Sequence, residues 1–151
     1  ECEGGKSPYR IFLAYLHAGN GNVDEAIRLV DQVRTDSPQH MLTALGALLR
    51  HAWLGDTEQA LNAVPERNAQ AIRWDDLWSL LMAVAYAQLG ESGRAIHWLD
   101  QAIDNGIYNV DFLQHHEPFL QGLRTDDRFQ ALMEKATRLS RSLLESLPAD
   151  K

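Results

Sequence analysis

Gly21-Asn22-Val23-Asp24-Glu25-Ala26-Ile27 is echoed by Gly55-Asp56-Thr57-Glu58-Gln59-Ala60-Leu61 and again by Gly90-Glu91-Ser92-Gly93-Arg94-Ala95-Ile96. The glycines stand 34 and then 35 residues apart, and the alanines keep the same step. A period of that size marks stacked helical hairpins, none of which can bury its apolar face alone. The expected fold is therefore all-α, a curved stack of hairpins that offers a surface.

Working outward from the phrase, each copy sits at the bend of a hairpin. Ser7 is a candidate N-cap, with Pro8 at the first helical position. Ile11, Phe12, Leu13, Tyr15 and Leu16 follow, until Gly19-Asn20-Gly21-Asn22 stops the run. Asp24 and Glu25 suit the positive start of the return helix, and Ala26, Ile27, Val30 and Val33 give it one apolar stripe. The second hairpin is predicted from His40 to Leu54 and from Thr57 to Val64. There Pro65 must interrupt the helix, because it lacks an amide hydrogen and clashes with the preceding turn. A short stretch over Glu66 to Ile72 follows. Asp75 or Asp76 caps a third pair that turns at Gly90 and ends at Asn105-Gly106, residues that tolerate positive φ.

Past Gly106 the phrase is lost. Short helical turns are expected over Val110 to Gln114 and Phe119 to Leu123, separated by a polar bend at His115-His116-Glu117-Pro118. A last helix from Asp127 to about Leu147 carries Phe129, Leu132, Met133, Ala136, Leu139, Leu143 and Leu147 on one side. Terminal units of a repeat array are atypical because one face must be finished off, and this helix reads as a lid. The organisation is thus a disordered end over 1–7, three hairpins over 8–106, and an irregular fourth unit with a capping helix over 107–151.

A chain of 151 residues is long enough to bury about 70% of the surface its unfolded form exposes. No apolar run reaches the roughly 18 residues of a membrane span, and the opening lacks a signal-peptide layout, so no direct membrane insertion is expected. Net charge is -7, from 21 acidic against 14 basic residues. Nucleic acid is not an expected partner, since its phosphates demand a basic face. Cys2 is the single cysteine, which excludes an internal disulfide and a thiolate zinc cluster and makes reducing cytoplasm the default compartment. The opening Glu1-Cys2-Glu3-Gly4-Gly5 without Met reads as a piece of a longer protein.

Catalytic chemistry finds little to build on. Adjacent His115 and His116 point apart, with no third ligand at helical spacing, so no metal is expected. His17 and His51 fall at equivalent places in successive hairpins, where a large packing residue belongs. Asp75-Asp76 and Asp126-Asp127 precede helices, and capping explains them. No GxSxG elbow or phosphate-cradling glycine loop is present. Neither an enzyme nor a cofactor is expected. Trp74, Trp78 and Trp98 are expected to pack around the third hairpin.

The small residues inside each period resemble the tetratricopeptide repeat pattern. They are Ala83, Tyr86, Gly90, Ala95, Leu99 and Ala102 in the third period. Ala14, His17, Gly21, Ala26, Val30, Val33 and Pro38 match in the first, and Leu48, His51, Gly55, Ala60 and Val64 in the second. The run Pro118 to Leu132 resembles the closing segment of bacterial multidomain tetratricopeptide proteins, with Asp127 where those have proline. That resemblance implies a right-handed α-α superhelix within a larger bacterial protein, serving protein–protein interaction. It also implies a concave groove lined by Phe12, Tyr15, Leu45, Leu49, Trp53, Leu81, Val84 and Gln88, with Tyr15, Leu49 and Trp53 as anchors. The places where chaperone-tail readers carry cations hold Ile11, Tyr15, Leu45, Gly46, Leu49 and Leu80. The expected partner is therefore an apolar helix or extended peptide rather than a carboxylate. It would come from another protein, from a second copy in a homodimer, or from the C-terminal helix itself. A sensory module that binds a small ligand between hairpins, in a closed apolar pocket, is the alternative.

Overall fold

The computed structural model describes residues 6–146 and is all-helical, with no strand among them. Helix α1 (Ser7–Gly19) pairs with α2 (Val23–Asp36), and α3 (Met41–Leu54) with α4 (Thr57–Asn62), which α5 (Glu66–Ile72) continues beyond Pro65. Helix α6 (Asp76–Gln88) pairs with α7 (Ser92–Asn105), and α8 (Asp127–Ser146) packs on α7. Consecutive helices pack against each other, and the first helices also meet, α1 with α3 and α3 with α6.

The repeated phrase is a repeated turn. Gly21, Gly55 and Gly90 take φ of 80°, 72° and 75°, a left-handed backbone that an L side chain adopts only under strain. At each turn the next amide reaches back to the same place. Asn22 N donates to His17 O at 2.8 Å, Asp56 N to His51 O at 2.9 Å, and Glu91 N to Tyr86 O at 3.0 Å. This closure satisfies carbonyls that a helix end otherwise leaves bare. Spacing glycines by 34 and 35 residues therefore spaces identical reversals, and the alanines that follow, Ala26, Ala60 and Ala95, are each fully buried.

Several boundaries differ from the expectations. Ser7 is the first residue of α1 rather than its cap. It is buried, and its hydroxyl donates to Ser37 Oγ at 3.4 Å, so the helical start is held by the end of α2 and not by self-capping. The remainder of the expected disordered end, 1–5, lies outside the described residues. His40 does cap α3, its Nδ1 accepting from Leu42 N at 3.2 Å, and Asp75 Oδ1 caps α6 by accepting from Trp78 N at 2.9 Å. Trp74 is 80% exposed instead of packed, because it falls in the short link between α5 and α6. On α8, Leu143 is exposed although the periodicity puts it on the covered side, and Leu147 lies outside the described residues. The buried part of α8 ends at Ala136. Lys135 Nζ anchors that part to α7 through Asp100 Oδ1 at 2.6 Å and Asp104 Oδ1 at 2.5 Å.

Candidate functional site

The face expected to form an open groove is closed by the chain itself. Leu45, Leu49, Leu81 and Val84 have no exposed surface, and Tyr15 keeps 8%. Trp53 and Gln88 are half-buried, and the Trp53 indole N–H and Gln88 Oε1 lie out of solvent with no partner. Phe12 alone among the eight is exposed, at 37%. Tyr15, Leu45, Leu49, Leu81 and Val84 are therefore core rather than an open groove, whereas Trp53 and Gln88 keep part of their surface and Phe12 is exposed.

The irregular run after α7 covers the part of this face at Tyr15 and α6. A π-helical turn at Phe112–His116 leads into a 3-10 helix at Pro118–Leu123, which packs on α6 and reaches α1. Its Leu113 and Leu120 are fully buried, and Leu123 nearly so. The Phe119 ring lies 6.0 Å from that of Tyr15, and the side chains of Pro118 and Phe119 approach Gly19. The C-terminal helix, one of the three expected occupants, packs on α7 instead.

Glu117 is the clasp of this cover and the one fully buried carboxylate among the described residues. Tyr15 Oη donates to its Oε1 at 3.0 Å, and the amides of Phe119 and Leu120 both donate to Oε2 at 2.7 Å. Arg124 Nη2 donates to its backbone carbonyl at 2.9 Å. Burial pushes the Glu117 carboxyl above its ordinary value, against the hydrogen bonds and Arg124, which favour the charged form. Burial and the neighbouring Glu117 also push the Tyr15 phenol up, so it stays a donor. The expected polar bend at His115-His116-Glu117 is thus solvent-facing only in its histidines. Their rings are 6.5 Å apart, and His116 Nε2 lies 3.2 Å from Asp111 Oδ2. No group of three or more potential metal ligands occurs among the described residues, and no helix there is long and apolar enough to cross a membrane.

One apolar surface that stays open lies on the other side of α1; Leu54, Trp74, Leu143 and Leu144 are exposed elsewhere. Tyr9, Phe12 and Leu16 are 67%, 37% and 41% exposed. They are spaced to share one helical face. The repeat register gives that face a meaning. Adding 34 to each number leads to Thr43, Gly46 and Arg50 of α3, and all three touch the preceding hairpin. Thr43 Oγ1 donates to Ser37 O at 2.7 Å. A Cβ on Gly46 would sit 3.1 Å from Ile11 Cδ1 and 3.3 Å from Val30 Cβ. Arg50 Nε lies 3.4 Å from Asp31 Oδ1. Adding 69 leads to Trp78, Leu81 and Ala85 of α6, of which the last two are fully buried. On α3 this face meets the hairpin before it, on α6 it is largely buried, and on α1 it is exposed.

Sequence reasoning missed Glu117, Tyr9 and Leu16. The signal for the stripe was present, since α1 carries Tyr9, Ile11, Phe12, Leu13, Tyr15 and Leu16 and so is apolar around most of its girth. For Glu117 no such signal exists. No protein-family model matches this chain, and no curated protein or solved structure matches it.

Proposed function

We propose that this chain is a tetratricopeptide-like interaction module, a right-handed superhelical stack that binds through the outer face of α1 rather than through its concave side. The observation that supports this reading is the register match. Tyr9, Phe12 and Leu16 occupy the positions at which α3 and α6 pack on their predecessors, yet they face water. The occupant is a helical hairpin whose second helix lies on α1 as α2 lies on α3. Its chemistry follows from one difference between the two seats. Where α3 offers Arg50 to Asp31, α1 offers Leu16, so the incoming helix carries an apolar residue at the place of that aspartate. A further repeat of a longer polypeptide or a separate partner supplies such a hairpin equally well.

A synthetic hairpin of residues 8–38 with Asp31→Leu serves as the probe. Calorimetry should show it binding the protein, and Phe12→Asp with Leu16→Glu should weaken binding by about 2 kcal/mol or more, as loss of central aromatic and apolar anchors does. Unchanged helical content in that double variant separates lost docking from lost folding. No binding of the probe, or equal binding by the variant, sinks the reading. A stable dimer of the protein alone, abolished by the same substitutions, assigns the face to a second copy and refutes the hairpin occupant.

A further inference from the structure

Pro65 leaves a mark beyond its own hairpin. Helices α2 and α7 run 14 residues each, whereas the second return helix is divided into α4 and α5, of 6 and 7 residues. Two short rods joined at a proline do not fill the space of one continuous helix. A cleft of about 430 Å³ remains between α4–α5 and α6–α7. That volume lies within the range of small-molecule sites, roughly 300 to 1,000 Å³.

The lining combines an apolar wall with unspent positive charge. Leu61, Val64 and Met82 form the wall, and Tyr86 and Trp98 add aromatic surface. Against an overall charge of -7, the charged lining of the cleft is Arg73, Arg94 and Glu66, with His97 beside them. Glu66 is engaged by Gln70 Nε2 at 3.2 Å. Both guanidinium groups lie over rings. Arg73 lies 5.8 Å from the Trp74 ring centre and Arg94 5.7 Å from that of Tyr86. Among the described residues Arg73 has no carboxylate within ion-pair reach, and Arg94 reaches only Glu91, at 3.8 Å. Stacking occupies the flat face of a guanidinium and leaves in-plane N–H donors available, all of those of Arg73 and the ones of Arg94 not turned to Glu91 or the Tyr86 hydroxyl. Those donors match the two oxygens of a carboxylate or phosphate. Asn105 Nδ2 donates to Arg73 O at 2.7 Å, tying the end of α5 to the end of α7, and both arginines line the cleft.

We infer that this cleft binds a small organic anion whose carboxylate or phosphate groups meet Arg73 and Arg94 and whose body lies against Met82, Tyr86 and Trp98. The site is independent of the docking face on α1. Because Arg73 closes α5 and Arg94 belongs to α7, a bound anion ties the broken second hairpin to the intact third.

Amide proton–nitrogen titrations of the whole chain with citrate and with pyrophosphate, each against sodium chloride of equal ionic strength, test this. Saturable shifts at Gly93, Arg94 and the Trp98 indole are expected, with half-saturation below about 1 mM for at least one anion. The variant carrying Arg73→Gln and Arg94→Gln should lose roughly tenfold or more in affinity. Both side chains are exposed, so its circular dichroism should match the parent. Saturation by citrate alone assigns a carboxylate, and by pyrophosphate alone a phosphate. Shifts that grow linearly with either anion, or that persist unchanged in the double variant, overturn the inference.

Discussion

On one side of α1, Ile11, Ala14, Tyr15 and Ala18 are closed off from water; on the other, Tyr9, Phe12 and Leu16 stand open to it. Both sides are apolar, and an amphipathic surface helix would need only one such side. The closed side is covered by α2, α3 and the segment that carries Glu117. The open side repeats the register of faces that α3 and α6 bury. The contrast shows that burial in a repeat stack is assigned by place in the row, not by the composition of the helix. The two covers also differ in kind. The inner one is fixed by a single buried carboxylate and its three donors, while the outer seat asks only for shape and an apolar helix.

The closed side should therefore yield most to loss of the clasp. Glu117→Ala leaves Tyr15 Oη and the amides of Phe119 and Leu120 without their acceptor, two of them in the interior. Urea unfolding at neutral pH should show a loss on the order of 3 kcal/mol, since each orphaned buried donor costs about 1–3 kcal/mol and removal of a desolvated charge offsets part of that sum. Glu117→Gln should lose much less. An amide oxygen still accepts from the two amides, and the Tyr15 hydroxyl is able to turn from donor to acceptor. The same residue sets a pH dependence. Its folded-state value is raised, so the folded form holds the proton more tightly. Its contribution is complete below the ordinary glutamate value and is lost as pH rises through the raised one. Stability followed across that window should fall in the parent and stay flatter in Glu117→Gln. Equal slopes in the two would mean that Glu117 is not the group responsible.

A second test sets one register position against itself. Gly46 of α3 corresponds to Phe12 of α1, yet the first is already tight for a methyl group and the second holds a benzyl group partly open to water. Gly46→Val forces Ile11 and Val30 apart, because its Cβ alone would sit 3.1 Å and 3.3 Å from them. Overpacking of this kind costs about 1–3 kcal/mol, measurable as a lowered denaturation midpoint. An unchanged midpoint would show that α3 does not press on the first hairpin, and the register argument for the open face would lose its footing.

The sequence carried the hairpins because their turns are written in residues whose chemistry is local. Gly21, Gly55 and Gly90 supply the left-handed step, and Pro65 removes a donor wherever it stands. Burial of the inner face was less legible. Leu45, Leu49, Leu81 and Val84 read as a groove because an apolar helical stripe looks the same whether a partner or the chain itself covers it. The cover could not be read at all from periodicity. Residues 112–123 follow a π-helical turn and a 3-10 helix, and their docking depends on a glutamate that an isolated sequence places in solvent. The cleft beside Arg73 and Arg94 was foreshadowed only by its cause, the proline, since the emptiness left by a broken helix depends on what stands opposite.

The smallest expected effect is the most discriminating. Phe12→Ala removes an aromatic ring that is 37% exposed and meets Tyr15 at 6.2 Å between ring centres. In this protein taken alone, thermal and urea unfolding should move by about 1 kcal/mol or less, because the ring meets Tyr15 but keeps over a third of its surface open. The register equivalent in α6, Leu81, is sealed, so the small effect belongs to the position in the row and not to the residue's place on its helix. With the hairpin probe bound, the same substitution should become costly, because the ring is then desolvated. A large loss in the unbound protein would mean that Phe12 already packs as core, and the open side of α1 would be closed after all.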